Sequence, residues 1–530
     1  MHYYGIISGI SKRIGLIEEI DKMTKSDPNK KVSFGQSVLA IMLNGMGLAM
    51  SKPLYKVEEF LRTKPVNILI GKGIKAKDFN DDTLGRALDA IAEYGTSKMF
   101  STIALKAAAL YKISTKFFHA DTSNVQVWGD YKEDGDLIAF GYPKQERADL
   151  KQYLLSLITT FDGAITLFAS AIRGNTSDAK HFKDLLELLE ENIKDSTDDH
   201  YFILDSAVFS IENLKIMSKG FLITRVPERI SAAKELKESY ATSLERLHGD
   251  EDYKFAEVCS IYGEVRQRWI VVYSRAANER AKKTIAALVK KEKEEMLKTL
   301  KKFSKQLFAC PADAEKTITE CSKQFKFHKI NVVKIHQEDK YSCTGRPSKD
   351  ATKSIFYTIE ATLEEQPKQI EKQITLDSMF VLATTQLDEN KLPTNEVLSH
   401  YKDQSTLENR FNIFKNATCI APNVYLKKES RIEALVMILC LCLLVYALAE
   451  TQLRKSLVAE GKFVPNCVNK PIQNPTMKSI FQMFEGVLLA TIEIDEEVIR
   501  QITNLRDFLY DVLGFLGKEC MNMYLLESTG

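Results

Sequence analysis

FFHADTSNVQVWG (residues 117–129) decides how this chain is read. An apolar run closes on Asp121, and apolar Val125 and Val127 then alternate with polar neighbours. The pattern predicts a buried strand bearing a carboxylate near its end. YFILDSAVFS (201–210) repeats the arrangement, with Asp205 closing a second short apolar run. A third acidic residue, Glu408, falls in YKDQSTLENRFNIFK (401–415), whose spacing predicts a helix.

The segments around these residues order themselves into a recognisable succession. QYLLSLITTFDGAITLFASAIRGN (152–175) holds Asp162-Gly163 between two β-rich runs, a strong hairpin signal. KHFKDLLELLEENIK (180–194) has the spacing of an amphipathic helix, and VFSIENLKIMSKG (208–220) reads as a second helix closed by glycine. FLITRV (221–226) is a further strand. Three strands with a hairpin, helix, strand, helix, strand matches an α/β catalytic core with a ribonuclease H-like mixed sheet, which carries its acidic residues at adjacent strand positions.

Five regions follow. Residues 1–112 form a helical N-terminal domain, with Asp81 and Asp82 as the expected N-cap before Thr83 and Leu84. Its interspersed basic residues, among them Lys52, Arg62, Lys72, Lys75 and Lys77, fit either a DNA-end-binding module or an ordinary solvated surface. Residues 113–226 are the first part of the core. Residues 227–394 read as a β-rich insertion with a long basic helix near 279–306, whose lysine-rich face is either solvated or turned to DNA. Residues 395–450 resume the core, and 451–530 read as a helical C-terminal region.

ALVMILCLCLLVYALA (434–449) is sixteen residues without a charge. A membrane span needs about 20 such residues, and Arg431, Glu433 and Glu450 crowd its ends. A helix buried on all sides within the protein is the expectation.

Composition excludes several classes. The chain has 530 residues, enough for two to four domains, with 45% hydrophobic and 27% charged residues. A net charge of +2 rules out a uniformly positive body, so any DNA contact must come from local basic patches. Nine scattered cysteines with no CxxC pair argue against a zinc ribbon or a disulfide framework. The absence of a GxxxxGK[ST] loop argues against a nucleotide cofactor. No charged-then-apolar leader opens the sequence, which gives a cytoplasmic, nucleoid-associated expectation without membrane attachment.

On a helix of 3.6 residues per turn, Tyr401, Gln404, Glu408 and Lys415 share one arc of about 60°, beside the apolar stripe of Leu407, Phe411 and Phe414. A carboxylate there reaches into a site while its helix stays anchored in the core. Two strand-end carboxylates and one helix carboxylate suit a pair of divalent cations, Mg2+ or Mn2+, in phosphoryl chemistry on nucleic acid.

This stripe resembles the Tyr-Arg-Glu-Lys signature of DDE insertion-sequence transposases that carry a β-rich insertion in a ribonuclease H-like core. Residues 119–131, 141–152, 161–178, 204–214 and 401–411 are also similar to blocks of that family. The resemblance implies a metal-binding catalytic triad of Asp121, Asp205 and Glu408, with Tyr401, Gln404 and Lys415 on DNA phosphates. Gln404 stands where the family has arginine, giving up a bidentate, charge-assisted contact. The resemblance further implies cut-and-paste transposition with two ions per site. Its DNA partners would be terminal inverted repeats and target DNA, joined by a homodimer in a synaptic complex. His119, on the same strand face as Asp121, reads as a packed core histidine or a modulator of the site. A structure-specific nuclease without strand transfer and a catalytically inactive DNA-binding descendant are the competing readings.

Overall fold

A computed structural model of the chain describes residues 1–47, 51–127, 131, 137–141, 149–176, 183, 185, 187, 198–216, 220–341, 353–403, 411–413, 426–466, 468–494 and 497–525. The chain divides into two compact units, Met1–Thr224 with Asp388–Gly530, and Arg225–Leu387.

The first unit is built on five strands. β1 (Phe117–Gln126), β2 (Gln152–Thr160), β3 (Thr166–Arg173), β4 (Tyr201–Leu204) and β5 (Phe221–Arg225) hydrogen-bond in the order β3-β2-β1-β4-β5. β2 runs antiparallel to both of its neighbours, whereas β1, β4 and β5 are mutually parallel. Every residue of β2 and β4 is buried, which explains why these strands read as continuous apolar runs without alternation. Asp162-Gly163 does sit in the β2–β3 connection, within a short 3-10 turn (Asp162–Ala164).

Gly163 has φ +76°, and a Cβ there would lie 2.1 Å from Thr451 Oγ1 on the long C-terminal helix. Gly163→Ala is therefore expected to cost roughly 2–3 kcal/mol, from left-handed backbone strain plus the clash. Thermal unfolding checks this; an unchanged Tm would mean that the turn and helix separate freely.

The N-terminal residues are helical, as the periodicity predicts. Ser33 and Gln36 close a reciprocal capping box on the helix Phe34–Gly45. The cap of Asp81–Tyr94 corrects the sequence expectation. Asn80, not either aspartate, accepts the Thr83 N–H at 2.9 Å, because only the residue before the first turn can reach that amide. Asp81 and Asp82 occupy the first turn itself, where negative charge favours the helix dipole.

The apolar stretch lies inside a 31-residue helix, Glu429–Ala459. Its most apolar window is 89% buried within the protein. Helices Tyr4–Arg13, Phe34–Gly45, Asp81–Tyr94, Thr96–Leu110 and Asp507–Leu516 pack on it together with β3. Polar groups anchor its first turns. Asp89 accepts from Arg431 Nη2 at 2.7 Å and from Lys428 at 2.8 Å, Thr96 bonds Glu433, and Glu429 accepts the Leu137 and Ile138 amides, each at 3.0 Å.

The C-terminal region departs from the sequence expectation. Besides Met477–Met483, Asp507–Leu516 and Lys518–Tyr524, it contains an antiparallel hairpin, Leu488–Ile494 with Glu497–Thr503. Its density of Thr, Ile and Val outweighs the helix-like spacing of its apolar residues.

In the second unit, β6 (His248–Gly249), β7 (Tyr253–Tyr262), β8 (Val265–Ser274) and β11 (Met379–Thr384) pair in the antiparallel order β11-β8-β7-β6. A separate long hairpin joins β9 (His328–Tyr341) and β10 (Lys353–Glu365). The basic helix is present as Arg275–Phe303. Met296 from that helix packs with Phe308, Ala314, Ile318, Ile330 and Ile359 in a small core. Helices Ser231–Ala241, Pro311–Ser322 and Pro367–Asp377 also belong to this unit and were not expected from periodicity.

Candidate functional site

β1 and β4 pair in parallel with Phe117 opposite Tyr201 and Ala120 opposite Leu204. Asp121 and Asp205 are the next residue along each strand, so the two carboxylates occupy matching positions at the end of that pairing. Side chains alternate along a strand, which puts Phe117, His119 and Asp121 on one sheet face, with Tyr201, Ile203 and Asp205 on the same face. The stacking of Phe117 on Tyr201, 4.8 Å between ring centres, fits that assignment.

The face is covered at one end and open at the other. Phe117, His119, Tyr201 and Ile203 are buried, Asp121 is half-buried and Asp205 is exposed. Thr122 N–H donates to Asp121 Oδ1 at 2.7 Å. Asp205 Oδ1 accepts the Ser206 N–H at 2.6 Å and the Ser206 hydroxyl at 3.2 Å. Thr224 Oγ1 on β5 donates to the Asp205 carbonyl at 3.1 Å, tying the end of β4 to its neighbour. Asp205 thus caps the short turn that ends β4 through one of its two carboxylate oxygens.

The covered end is aromatic. The helix Thr394–Lys402 brings in His400, whose ring centre lies 3.7 Å from that of Phe117 and 4.3 Å from that of Phe161. His119 contacts the same Phe161 ring at 6.1 Å. Among the described residues, neither ring nitrogen of His119 has a hydrogen-bond partner, nor does Nδ1 of His400. Burial pushes His119 down to about 4, and the nearby His400 ring disfavours a second positive charge beside it; burial, aided by Lys116, does the same to His400. Both imidazoles are consequently neutral at pH 7, and His119 matches the packed-core reading.

This pair carries a pH prediction. An unfolded histidine titrates near 6.5, so between pH 6.5 and 4 the unfolded chain takes up protons that the folded chain refuses. Stability is then fully present above about pH 6.5 and falls as the pH drops through 4, by about 3 kcal/mol from His119 alone. Denaturant melts of wild type and His119→Phe at pH 7.5 and pH 5 check this. The variant should lose less stability on acidification, and parallel losses would contradict the assignment.

Tyr401 is described at the end of the same helix, half-buried, immediately after His400. Gln404, Glu408 and Lys415 lie outside the described residues, as does the expected helix at 180–194 except for Lys183, Leu185 and Glu187. The structure thus brings Asp121 and Asp205 together and sets the Tyr401 helix on their sheet face. Among the described residues no cluster of three or more His, Cys, Asp or Glu side chains is poised to hold a metal. The donor chemistry of Asp121 and Asp205, hard carboxylate oxygens on one face, fits Mg2+. His400 was missed in the sequence; its one signal is its place beside Tyr401.

Residues 1–105 match the family described as "Domain of unknown function (DUF4277)". No curated protein matches the chain. Among solved structures, the chain is similar to a piggyBac transposase synaptic complex with hairpin DNA, determined by cryo-EM. That similarity has 8% identity and a TM-score of 0.41, over 99% of this chain and 87% of that one.

Proposed function

We propose that the chain is a DDE-type DNA transposase with a ribonuclease H-like catalytic core, cutting at transposon ends and transferring them into target DNA. One observation carries the reading: Asp121 and Asp205 at matching positions of two parallel strands, within a β3-β2-β1-β4-β5 sheet whose second strand alone is reversed. That strand order supports the reading of a ribonuclease H-like core, and the matching positions suit the paired acidic residues such a core would need.

Glu408 is the proposed third member. His400, eight residues before it in the sequence, stacks on Phe117 of β1, the strand that leads to Asp121.

Asp121, Asp205 and Glu408 would hold two Mg2+ or Mn2+ ions, which when bound stabilise charge on the attacking and leaving oxygens of a phosphodiester. The protein's own part is positional. β1 and β4 fix two carboxylates on one face, and the Ser206 and Thr224 contacts hold the backbone at Asp205. The aromatic packing of His400 anchors the third element. Tyr401, Gln404 and Lys415 would hold DNA phosphates beside the scissile bond. Terminal repeats and target DNA are the proposed partners, with a homodimer pairing two ends and a cytoplasmic, nucleoid-associated site of action.

The test uses plasmid carrying the DNA that flanks the gene. Mg2+-dependent nicking at those ends, followed by joining of pre-cut ends to a second plasmid, is the expected result. Nicking without joining would make the chain a nuclease, and neither activity would overturn the proposal.

A further inference from the structure

The N-terminal helices carry a charged cleft remote in sequence from the carboxylates. It has a volume of about 330 Å³, with Lys30, Lys31, Lys77, Asp78, Asn80 and Arg86 in its lining. All four cationic residues are exposed. Two loops supply the lysines. Residues 25–31 hold Lys25, Lys30 and Lys31, and residues 72–77 hold Lys72, Lys75 and Lys77, against one acidic residue, Asp27, in both stretches. In a chain of net charge +2 this is a marked local excess.

The lining holds one carboxylate, and it is engaged: Asp78 accepts from Lys31 Nζ at 2.8 Å and from the Lys75 N–H at 2.8 Å. Asp81 and Asp82, exposed in the first turn of the helix Asp81–Tyr94, are not part of that lining. Among the described residues, Arg86 bonds through its Nε alone, to the Asp82 carbonyl at 3.2 Å. The Lys30 ammonium rests over the Phe34 ring, 4.9 Å from its centre. The cleft therefore presents a net positive surface of long, exposed side chains, not a buried cradle shaped to one small anion.

We propose that this cleft binds the phosphate backbone of duplex DNA, holding it independently of sequence while the carboxylate site acts elsewhere on the strand. Exposed lysines and one arginine with free donors suit backbone contacts, which position a duplex and carry no base information. The inference rests on the transposase reading for its choice of DNA as the polyanion.

The experiment measures binding of the full chain to a fluorescent 30-base-pair duplex of arbitrary sequence, without Mg2+, over a series of salt concentrations. It compares wild type with the K30A/K77A/R86A variant and with K30R/K77R, which keeps the charge. The first variant should bind at least tenfold more weakly at low salt, and its plot of log K against log salt should be shallower by about 2–3. K30R/K77R should behave as wild type, and all three should share one Tm. Equal duplex affinity in wild type and K30A/K77A/R86A would overturn the proposal, as would full competition by millimolar inorganic phosphate or failure of wild type to bind. Nicking is scored separately. Duplex binding through the cleft without any nicking keeps this surface and removes the transposase reading, whereas nicking with unaffected binding does the reverse.

Discussion

Asp121→Asn and Asp205→Asn should each lower Mg2+-dependent cleavage by about 10³ or more, the equivalent of roughly 4 kcal/mol of transition-state stabilisation, and Glu408→Gln should do the same. Each change keeps the side-chain volume and removes the charge that a hard cation requires. The structural cost should be small. Asp121 is half-buried and Asp205 exposed, and an asparagine carbonyl oxygen can still accept the Thr122 or Ser206 amide. Duplex binding and Tm are therefore expected to stay near wild type. Cleavage by any of the three variants at the wild-type rate would remove that residue from the triad. A matching fall in Tm would instead assign Asp205 to its turn-capping role.

The second large effect concerns the fold. Leu444→Asp should destabilise the protein by more than about 5 kcal/mol, against about 2–5 kcal/mol for Leu444→Ala. Leu444 is fully buried, and so is nearly everything around it on the helix Glu429–Ala459. A helix packed on all sides has no solvent face to which an introduced carboxyl can turn. The change forfeits the leucine's packing and requires either a buried charge or uptake of a proton. Soluble yield and Tm measure it, with wild type expected in the supernatant without detergent. A Leu444→Asp protein as stable as wild type, or wild type found only in membranes, would contradict burial of this helix within the protein.

Much of this architecture can be read from residue order. The runs ending at Asp121 and Asp205 announce strands because Phe117–Ala120 of β1 and all of β4 are buried on both faces, so apolar residues predominate in both. Asp162-Gly163 marks the β2–β3 connection because glycine alone tolerates φ +76° beside Thr451 at no cost. Other features depend on tertiary partners. The register that sets Asp121 beside Asp205 joins segments some eighty residues apart, and no local pattern encodes it. His400 acquires its part only by stacking on Phe117. The strand Tyr253–Tyr262 mixes charged and apolar residues and is only partly covered, so its period is weak. In the hairpin Leu488–Ile494 with Glu497–Thr503, the apolar spacing serves helix and strand alike, and β-propensity decides.

The central claim is that Asp121, Asp205 and Glu408 share one cation site. Iron(II) in place of Mg2+, with ascorbate and peroxide, generates hydroxyl radicals that cut the polypeptide close to the bound ion. Mapping the cuts on wild-type protein should give three sets, around residues 121, 205 and 408, all suppressed by excess Mg2+. Cuts near 121 and 205 with none between 400 and 415 would contradict the account.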